Sequence, residues 1–246
     1  MSEPCGLCSE RGPWIKLFDY PSADMPSAEI FQCSTCGVLK NASAYHVELE
    51  NEVIQRKWVK DGFYKLPEEE KKFEEEANHA AGIFPWLENQ LGISLKNLSM
   101  LEIGAGSGLR SAGATNFFRE VYSTDTSLDL LQSLKDYQLG KRVRVLDESD
   151  LWGREIDWII GWHVFEHLKV PSILLRNGHR ILKSGGGFFF QVPLLSPKNV
   201  FPGHHFFYTQ HSLDKFFDLL GNYQTQYFFD TRVEALTCIA VKLSQE

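Results

Sequence analysis

An apolar run that leads into three alternating glycines constrains the fold more than any other feature of this sequence. The run spans residues 98–103, and the turn after it, Gly104-Ala105-Gly106-Ser107-Gly108, lacks a side chain at every second position. Such a run predicts a buried strand, and the glycines let the chain bend tightly while exposing backbone amides. The sequence therefore predicts an α/β fold with this turn at the carboxyl edge of a parallel sheet, where such folds bind ligands.

The residues around the turn favour a cationic ligand over a diphosphate. Glu102 precedes the first glycine, and a carboxylate repels phosphate but attracts ammonium or sulfonium. A dinucleotide-binding turn needs its third glycine one position later, where this chain has Leu109. At this point the sequence resembles the first motif of the class I S-adenosylmethionine-dependent methyltransferases. The resemblance implies that the cofactor lies against Glu102 and the turn residues Gly104, Ala105, Gly106 and Gly108.

The next predicted strand continues this resemblance. The β-branched and aromatic run 121–124 ends at Asp125. The resemblance places here the acid that holds both ribose hydroxyls of the cofactor, and a carboxylate can accept both hydrogen bonds. Thr126 or Ser127 can cap the helix that follows. Asp125 and Thr126 are therefore predicted cofactor contacts.

Two further strands are predicted after Asp125. Residues 143–146 precede the acids Asp147, Glu148 and Asp150. The resemblance implies that one of these acids contacts the adenine amino group; a solvated acidic loop is the alternative. Residues 156–161 lead into Trp162-His163-Val164-Phe165-Glu166-His167-Leu168, which resembles the family's signature after its fourth strand. His163 is predicted to lie on the cofactor edge, and the Glu166-His167 pair is expected to support the fold.

The remaining pattern completes one architecture. A helix is predicted from Pro171 through Ile181, with Lys183 in its last turn, stopped by Gly185-Gly186-Gly187 before a strand over residues 188–192. After a helix over 212–220, two β-rich runs joined by a short link predict an antiparallel hairpin. The predicted fold is a Rossmann-like methyltransferase sheet, mostly parallel with an antiparallel C-terminal hairpin, preceded by a small zinc-ribbon-like module.

Paired cysteines predict the metal site of that module. Cys5-x-x-Cys8 and Cys33-x-x-Cys36 have the spacing of a four-thiolate zinc site. Four protein ligands leave no open coordination position, so the zinc is expected to be structural. Two disulfides are the alternative, but no secretory signal precedes the cysteines.

Composition limits the partners. The net charge of −7 argues against a large nucleic-acid footprint, and no apolar run of about eighteen residues predicts a membrane span. We expect a cytoplasmic protein with three regions: a zinc-binding module (1–45), a helical linker and lid (46–90) and an S-adenosylmethionine-binding methyltransferase domain (91–246).

The cysteine module ahead of the methyltransferase motifs resembles the sugar C-methyltransferases that act on nucleotide-linked deoxysugars. In that family a segment after the fifth strand supplies a base, and the comparable run here is residues 201–208. His205 occupies the histidine position, whereas His204 replaces the family's glutamate. The resemblance thus implies His205 as base or acceptor-orienting group, with His204 and Tyr208 beside it. The family's large C-terminal domain has no counterpart in this sequence.

Three functions remain open from sequence. The preferred one is an S-adenosylmethionine-dependent methyltransferase acting on a small-molecule acceptor, such as a nucleotide-linked sugar or a related metabolite. The second is an RNA methyltransferase whose zinc module binds the substrate. The third is a noncatalytic protein that keeps only the cofactor-binding fold. The acceptor atom and the oligomeric state are not indicated.

Overall fold

A seven-stranded sheet forms the centre of the protein. The computed structural model describes residues 3–21, 27–44, 65–151 and 153–244, except for the side chains of Glu148 and Ser149. The first part of the predicted linker and lid, residues 46–64, lies outside the described residues. The strands are β1 (Trp14–Tyr20), β2 (Ala28–Cys33), β3 (Leu39–Asn41), β4 (Ser99–Ile103), β5 (Glu120–Thr124), β6 (Val143–Val145), β7 (Ile156–Trp162), β8 (Leu182–Pro193), β9 (Phe206–Phe207), β10 (Tyr223–Asp230) and β11 (Ala235–Lys242).

The strand order confirms the predicted fold class. The large sheet runs β10-β11-β8-β7-β4-β5-β6. The five strands from β8 to β6 pair in parallel. β11 pairs antiparallel with both β10 and β8, so β11 runs in the reverse direction between two strands that are parallel to each other. The strand order reverses between β4 and β7, and ligands of open α/β sheets bind at such a point.

Seven helices flank the sheet in the described part of the chain. They are α1 (Glu70–Ala80), α2 (Phe84–Leu91), α3 (Leu109–Ala114), α4 (Leu128–Gln132), α5 (Glu148–Leu151), α6 (Pro171–Ile181) and α7 (Gln210–Leu220). Pro171 occupies the first turn of α6, where its missing N–H costs no hydrogen bond. Thr209 caps α7 by accepting a hydrogen bond from the Ser212 amide.

Successive side chains of the central strands enter opposite faces of the sheet. In β8, Phe188 and Phe190 join the core that contains α6 and α7, whereas Phe189 joins the core that contains α1 and α2. This alternation is the two-residue period of a strand. Both faces are therefore covered, as an all-parallel region requires.

The predicted boundary between α6 and β8 is wrong. The three glycines do not separate the helix from the strand, because β8 begins directly after α6 and runs through them. A Cβ on Gly186 would lie 2.1 Å from the Asp157 carbonyl oxygen, and one on Gly187 would lie 2.3 Å from the Ala240 carbonyl oxygen. Glycine is needed here because the neighbouring strands approach closely.

The N-terminal residues form a second, antiparallel sheet that the later part of the chain completes. Its order is β1-β2-β3-β9, and β9 lies within the histidine segment of residues 201–208. Leu39 pairs with Phe207, and Lys40 pairs with Phe206. The four paired cysteines and residues of the large sheet, such as Leu101, belong to one continuous core. The cysteine module is therefore packed into the larger domain.

None of the helices in the described residues is long and apolar enough to cross a membrane.

Candidate functional site

The glycine turn after β4 has the backbone conformation that the sequence predicts. Gly104, Gly106 and Gly108 have φ values of +65°, +57° and +77°, a region that favours glycine. A Cβ on Gly104 would lie 2.4 Å from a methyl carbon of Val164. Gly104 and Ala105 are half-buried, so part of the turn faces outward beside the start of α3.

Glu102 lies beneath this turn, with its carboxylate bound to other side chains. It is buried and accepts hydrogen bonds from the Ser111 hydroxyl and, at 3.2 Å, from Nη1 of Arg110. The Arg110 guanidinium also lies 4.6 Å from the centre of the Trp162 ring. Burial raises the pKa of Glu102, although the positive charge of Arg110 opposes the shift. Arg110 is a member of the site that sequence reasoning did not identify.

Asp125 lies at the end of β5 and contacts the glycine turn. Its Oδ2 accepts a hydrogen bond of 2.8 Å from the Gly106 amide, and its Oδ1 accepts one of 2.9 Å from the Ser127 amide. The Thr126 hydroxyl lies 3.4 Å from the same Oδ1. Ser127 takes the N-cap position of α4, as predicted, but its side chain makes no capping hydrogen bond. Asp125 is half-buried, so the carboxylate joins two adjacent strand ends at the surface of the edge.

The predicted adenine contacts follow β6. Asp147 is exposed, and its Oδ1 accepts a hydrogen bond of 3.1 Å from the Asp150 amide. The side chain of Glu148 lies outside the described part of the structure. Because β6 pairs with β5, Asp147 lies after the strand next to the one that ends at Asp125.

His163 follows β7, on the other side of the glycine turn. Ile103 is in register with Gly161, so the ends of β4 and β7 are adjacent. The His163 backbone has a φ of +54°, which is uncommon for a residue with a side chain. Its imidazole is 44% exposed, and its Nδ1 lies 3.2 Å from Oε1 of Glu166. A strained backbone thus holds an exposed imidazole against a buried carboxylate.

The predicted acceptor segment packs against the turn that contains Glu166. The amide of His205 donates to the carbonyl oxygen of Glu166 at 2.8 Å, and the Tyr208 hydroxyl donates to the carbonyl oxygen of Phe165 at 2.8 Å. His204, His205 and Tyr208 are 6%, 7% and 2% exposed. The structure therefore brings the three predicted acceptor-side residues to the carboxyl end of β7.

Burial shifts the pKa of two side chains in this segment. Burial, together with the charge of nearby His167, lowers the pKa of His204 to about 3, so its imidazole is neutral near pH 7. Burial also raises the pKa of Tyr208 well above its usual range. The Tyr208 hydroxyl already donates to a backbone carbonyl, so this hydrogen bond holds the segment in place.

The four predicted zinc ligands form a buried cluster. Their ligand atoms all lie within 4.8 Å of one another, with Cys5 Sγ 3.7 Å from Cys36 Sγ and Cys8 Sγ 3.8 Å from Cys33 Sγ. These separations are far longer than a sulfur–sulfur bond of about 2.05 Å, so all four thiols are free and the disulfide alternative is not observed. Four sulfurs at ~2.3 Å from a tetrahedral zinc lie ~3.8 Å apart, so the cluster fits that ion.

The cluster favours deprotonation at one sulfur. A hydrogen bond from the Cys36 thiol lowers the pKa of Cys5 to about 5, whereas burial raises the pKa of Cys8 to about 12. A thiolate is the form that binds metal.

The model of a family described as a methyltransferase domain matches residues 73–222. No curated protein sequence matches the chain. A magnesium protoporphyrin IX methyltransferase from Synechocystis with bound S-adenosylhomocysteine superposes with a TM-score of 0.55 at 16% identity, covering 78% of this chain and 100% of that chain.

Two other solved structures have the same fold. A protein described as a methyltransferase, in complex with the Haloferax volcanii Trm112 methyltransferase activator, gives a TM-score of 0.56 at 16% identity and covers 77% of this chain and 98% of that one. A protein described as an O-methyltransferase from Nostoc punctiforme gives 0.53 at 18% identity and covers 68% of this chain. The present chain spans 56% of that protein. Because the family model covers more than half of the sequence, the chain belongs to the methyltransferase-domain family.

Proposed function

We propose that this protein is an S-adenosylmethionine-dependent methyltransferase that acts on a small-molecule acceptor. The observation that carries the proposal is the hydrogen bond between Asp125 and the Gly106 amide, which brings the predicted ribose-binding acid onto the glycine turn. His163 and Asp147 follow the strands on either side. The cofactor contacts proposed are Glu102, Gly104, Ala105, Gly106, Gly108, Asp125, Thr126, Asp147, Glu148 and His163.

The residues of this edge would act mainly by alignment. When bound, S-adenosylmethionine supplies a methyl group on a sulfonium, and its transfer requires the acceptor atom in line with the breaking bond. Asp125 would orient the ribose by accepting its hydroxyl hydrogens. Glu102 would place a negative charge beneath the turn, held by Arg110 and Ser111.

The acceptor would lie against the segment that carries His205. We propose His205 as the general base or acceptor-orienting group, because histidine can accept a proton near neutral pH. His204 and Tyr208 would hold the segment through their bonds to the backbone of Asn199 and Phe165. The β3–β9 pairing supports a nucleotide-linked sugar or related metabolite as acceptor, since it brings the cysteine module beside this segment, as the sugar C-methyltransferase resemblance implies.

One structural zinc is proposed at Cys5, Cys8, Cys33 and Cys36. The sulfur separations suit a tetrahedral ion, and four protein ligands leave no position for a substrate. The metal would therefore fix the packing of β1–β3 against the larger domain and take no part in methyl transfer.

Calorimetric titration with S-adenosylmethionine tests the cofactor assignment. Asp125→Ala removes hydrogen bonds to a charged acceptor, so affinity should fall by about 1.5 to 3 kcal/mol, or roughly tenfold to a hundredfold. Asp129→Ala changes a nearby exposed acid in α4 and should leave affinity unchanged. Wild-type protein that does not bind the cofactor would exclude the proposed function, and equal affinity in the Asp125 variant would exclude only the ribose contact.

Labelled S-adenosylmethionine identifies the acceptor class. The protein is incubated with the labelled cofactor and fractionated cell extract, and label is followed into nucleotide sugars, other metabolites and RNA. The proposal expects label in the small-molecule fraction. Salt-sensitive labelling of RNA would instead support the RNA methyltransferase, and cofactor binding with no labelled product would indicate a noncatalytic protein.

The role of His205 is tested once an acceptor is known. His205→Ala should lower turnover by about a hundredfold to ten-thousandfold and leave cofactor affinity unchanged. His179→Ala is a matched control, because His179 is half-buried and bonds to Tyr223, near the opposite end of the sheet. Intact turnover would make His205 a structural residue, and loss of cofactor affinity would move it to the cofactor side.

A further inference from the structure

A second cluster of ligand-type side chains surrounds the carboxylate of Glu166. This side chain is fully buried, and its Oε2 has no hydrogen-bond partner within the part of the chain that the structure describes. A buried carboxylate oxygen without a partner carries a large desolvation cost. Nε2 of His204 lies 3.9 Å and Nε2 of His167 lies 4.0 Å from Oε1 of the same carboxylate. These separations are too long for hydrogen bonds.

The Nδ1 atoms of His167 and His204 lie within hydrogen-bond distance of backbone carbonyl oxygens. Nδ1 of His167 lies 2.9 Å from the Gly203 oxygen, and Nδ1 of His204 lies 2.7 Å from the Asn199 oxygen. A carbonyl only accepts, so each Nδ1 carries the proton, and in the neutral ring the lone pair is on Nε2. Histidines that bind metal are oriented in this way, with one ring nitrogen donating to a backbone carbonyl and the other directed at the ion.

We propose that Glu166, His167 and His204 bind one divalent transition-metal ion, separate from the zinc of the four cysteines. Two imidazoles and one carboxylate form the ligand set of mononuclear transition-metal sites, whereas Mg²⁺ and Ca²⁺ prefer oxygen ligands throughout. The three ligand atoms already lie within 4.8 Å of one another. Ligand atoms on one ion with bonds of about 2.1 Å lie ~3 to 3.4 Å apart, so the side chains must move inward by about half an ångström or more. Because both imidazole nitrogens lie nearest Oε1, the ion would satisfy the buried Oε2 when the carboxylate binds it through both oxygens.

The site would be open on one side. Three protein ligands leave at least one coordination position for water or for an oxygen or nitrogen atom of another molecule. The His167 side chain is 26% exposed, so the cluster is not sealed from solvent. His163, on the proposed cofactor edge, contacts the same carboxylate at 3.2 Å. The inferred ion thus lies between the cofactor edge and the histidine segment, where it could bind an acceptor hydroxyl.

A cobalt titration distinguishes this site from the cysteine cluster. Protein carrying one equivalent of zinc, which the four thiolates bind first, is titrated with Co²⁺ under visible spectroscopy and calorimetry. We expect one equivalent of Co²⁺ to bind with d–d absorption but without the thiolate-to-cobalt charge-transfer band of a cysteine site. Millimolar Mg²⁺ should not displace it. Absence of Co²⁺ binding, or a charge-transfer band accompanying all bound Co²⁺, would overturn the proposal.

Substitutions then assign the ligands. Glu166→Gln keeps the side-chain shape, and it should weaken Co²⁺ binding by more than the ~10 to 100-fold that loss of an outer-sphere partner costs. His167→Gln and His204→Gln should do the same, whereas His179→Gln should bind Co²⁺ as the wild type does. Retention of the zinc equivalent and of the far-UV circular dichroism verifies that each variant is folded. Unchanged Co²⁺ affinity in folded Glu166→Gln would exclude the site, even if S-adenosylmethionine binding is confirmed.

Discussion

Two acids of the same edge differ in what their surroundings allow them to do. Glu102 is 2% exposed and already bound by Arg110 and Ser111, so it supports the turn from below. Asp125 is half-buried and bound mainly by backbone amides, so its carboxylate can take up hydroxyl partners without leaving a buried charge unpaired. Of the two carboxylates, we therefore expect Asp125 to make the stronger contact with the proposed cofactor.

Gly104 provides a test of the turn at the level of one residue. Gly104→Ala should lower stability by roughly 1 to 3 kcal/mol, because alanine is strained at a φ of +65° and its Cβ would lie 2.4 Å from Val164. S-adenosylmethionine affinity should fall with it. Thermal unfolding and calorimetry measure the two effects. Gly153→Ala is the control, since a Cβ there meets nothing within 4 Å, and Val164→Ala should partly rescue the Gly104 variant.

The glycine turn and the cysteine cluster were predicted from short local spacings, whereas the position of Asp125 was predicted from the family resemblance. The partners of Glu102 and the grouping of Glu166 with His204 were not predicted. Arg110 carries no local signal for pairing with Glu102, and His204 reaches Glu166 only through a fold that brings the end of β7 and the segment before β9 together.

Helices and strands were predicted reliably from local sequence patterns, except where a neighbouring strand determines the conformation. The antiparallel hairpin of β10 and β11 follows directly from two β-rich runs and a short link. Three consecutive glycines normally end a helix and separate it from a strand. In β8 all three lie inside the strand, and the adjacent backbones of β7 and β11 leave no room for a Cβ on Gly186 or Gly187.

The capping of α7 gives a prediction for an element. Thr209→Ala removes the oxygen that accepts from the Ser212 amide and should lower the free energy of unfolding by about 1 kcal/mol. Thr209→Ser retains that oxygen and should restore most of the loss. Urea denaturation measures both. If the alanine variant is as stable as the wild type, the cap contributes nothing to α7.

At the scale of the whole molecule, the cysteine module and the large sheet share one core. Cys5, Cys36, Leu101 and Phe206 all belong to it, and β9 is held by β3. The sequence predicts the module but not this union, because β9 is only two residues long and pairs with a strand from the other end of the chain.

Removal of the proposed zinc should therefore affect two distant segments. In Cys36→Ser, hydrogen exchange should accelerate in β1–β3 and also in β9, while the central strands β4, β7 and β8 remain protected. Mass spectrometry measures the exchange, and metal analysis should show the loss of one zinc. Ser34→Ala, at an exposed position within the same knuckle, is the control. Exchange that accelerates in β1–β3 alone would show that β9 does not depend on the metal.

During synthesis, β3 is made long before its partner strand β9. Translation delivers the four cysteines and β3 first, while β9 follows only after the large sheet's first five strands. At ~5 to 20 residues per second, β3 emerges on the order of ten seconds before its partner and spends that time as an open sheet edge. The proposed zinc would hold β1–β3 folded during that interval, so nascent chains made under zinc depletion should expose the unfolded segment and aggregate more.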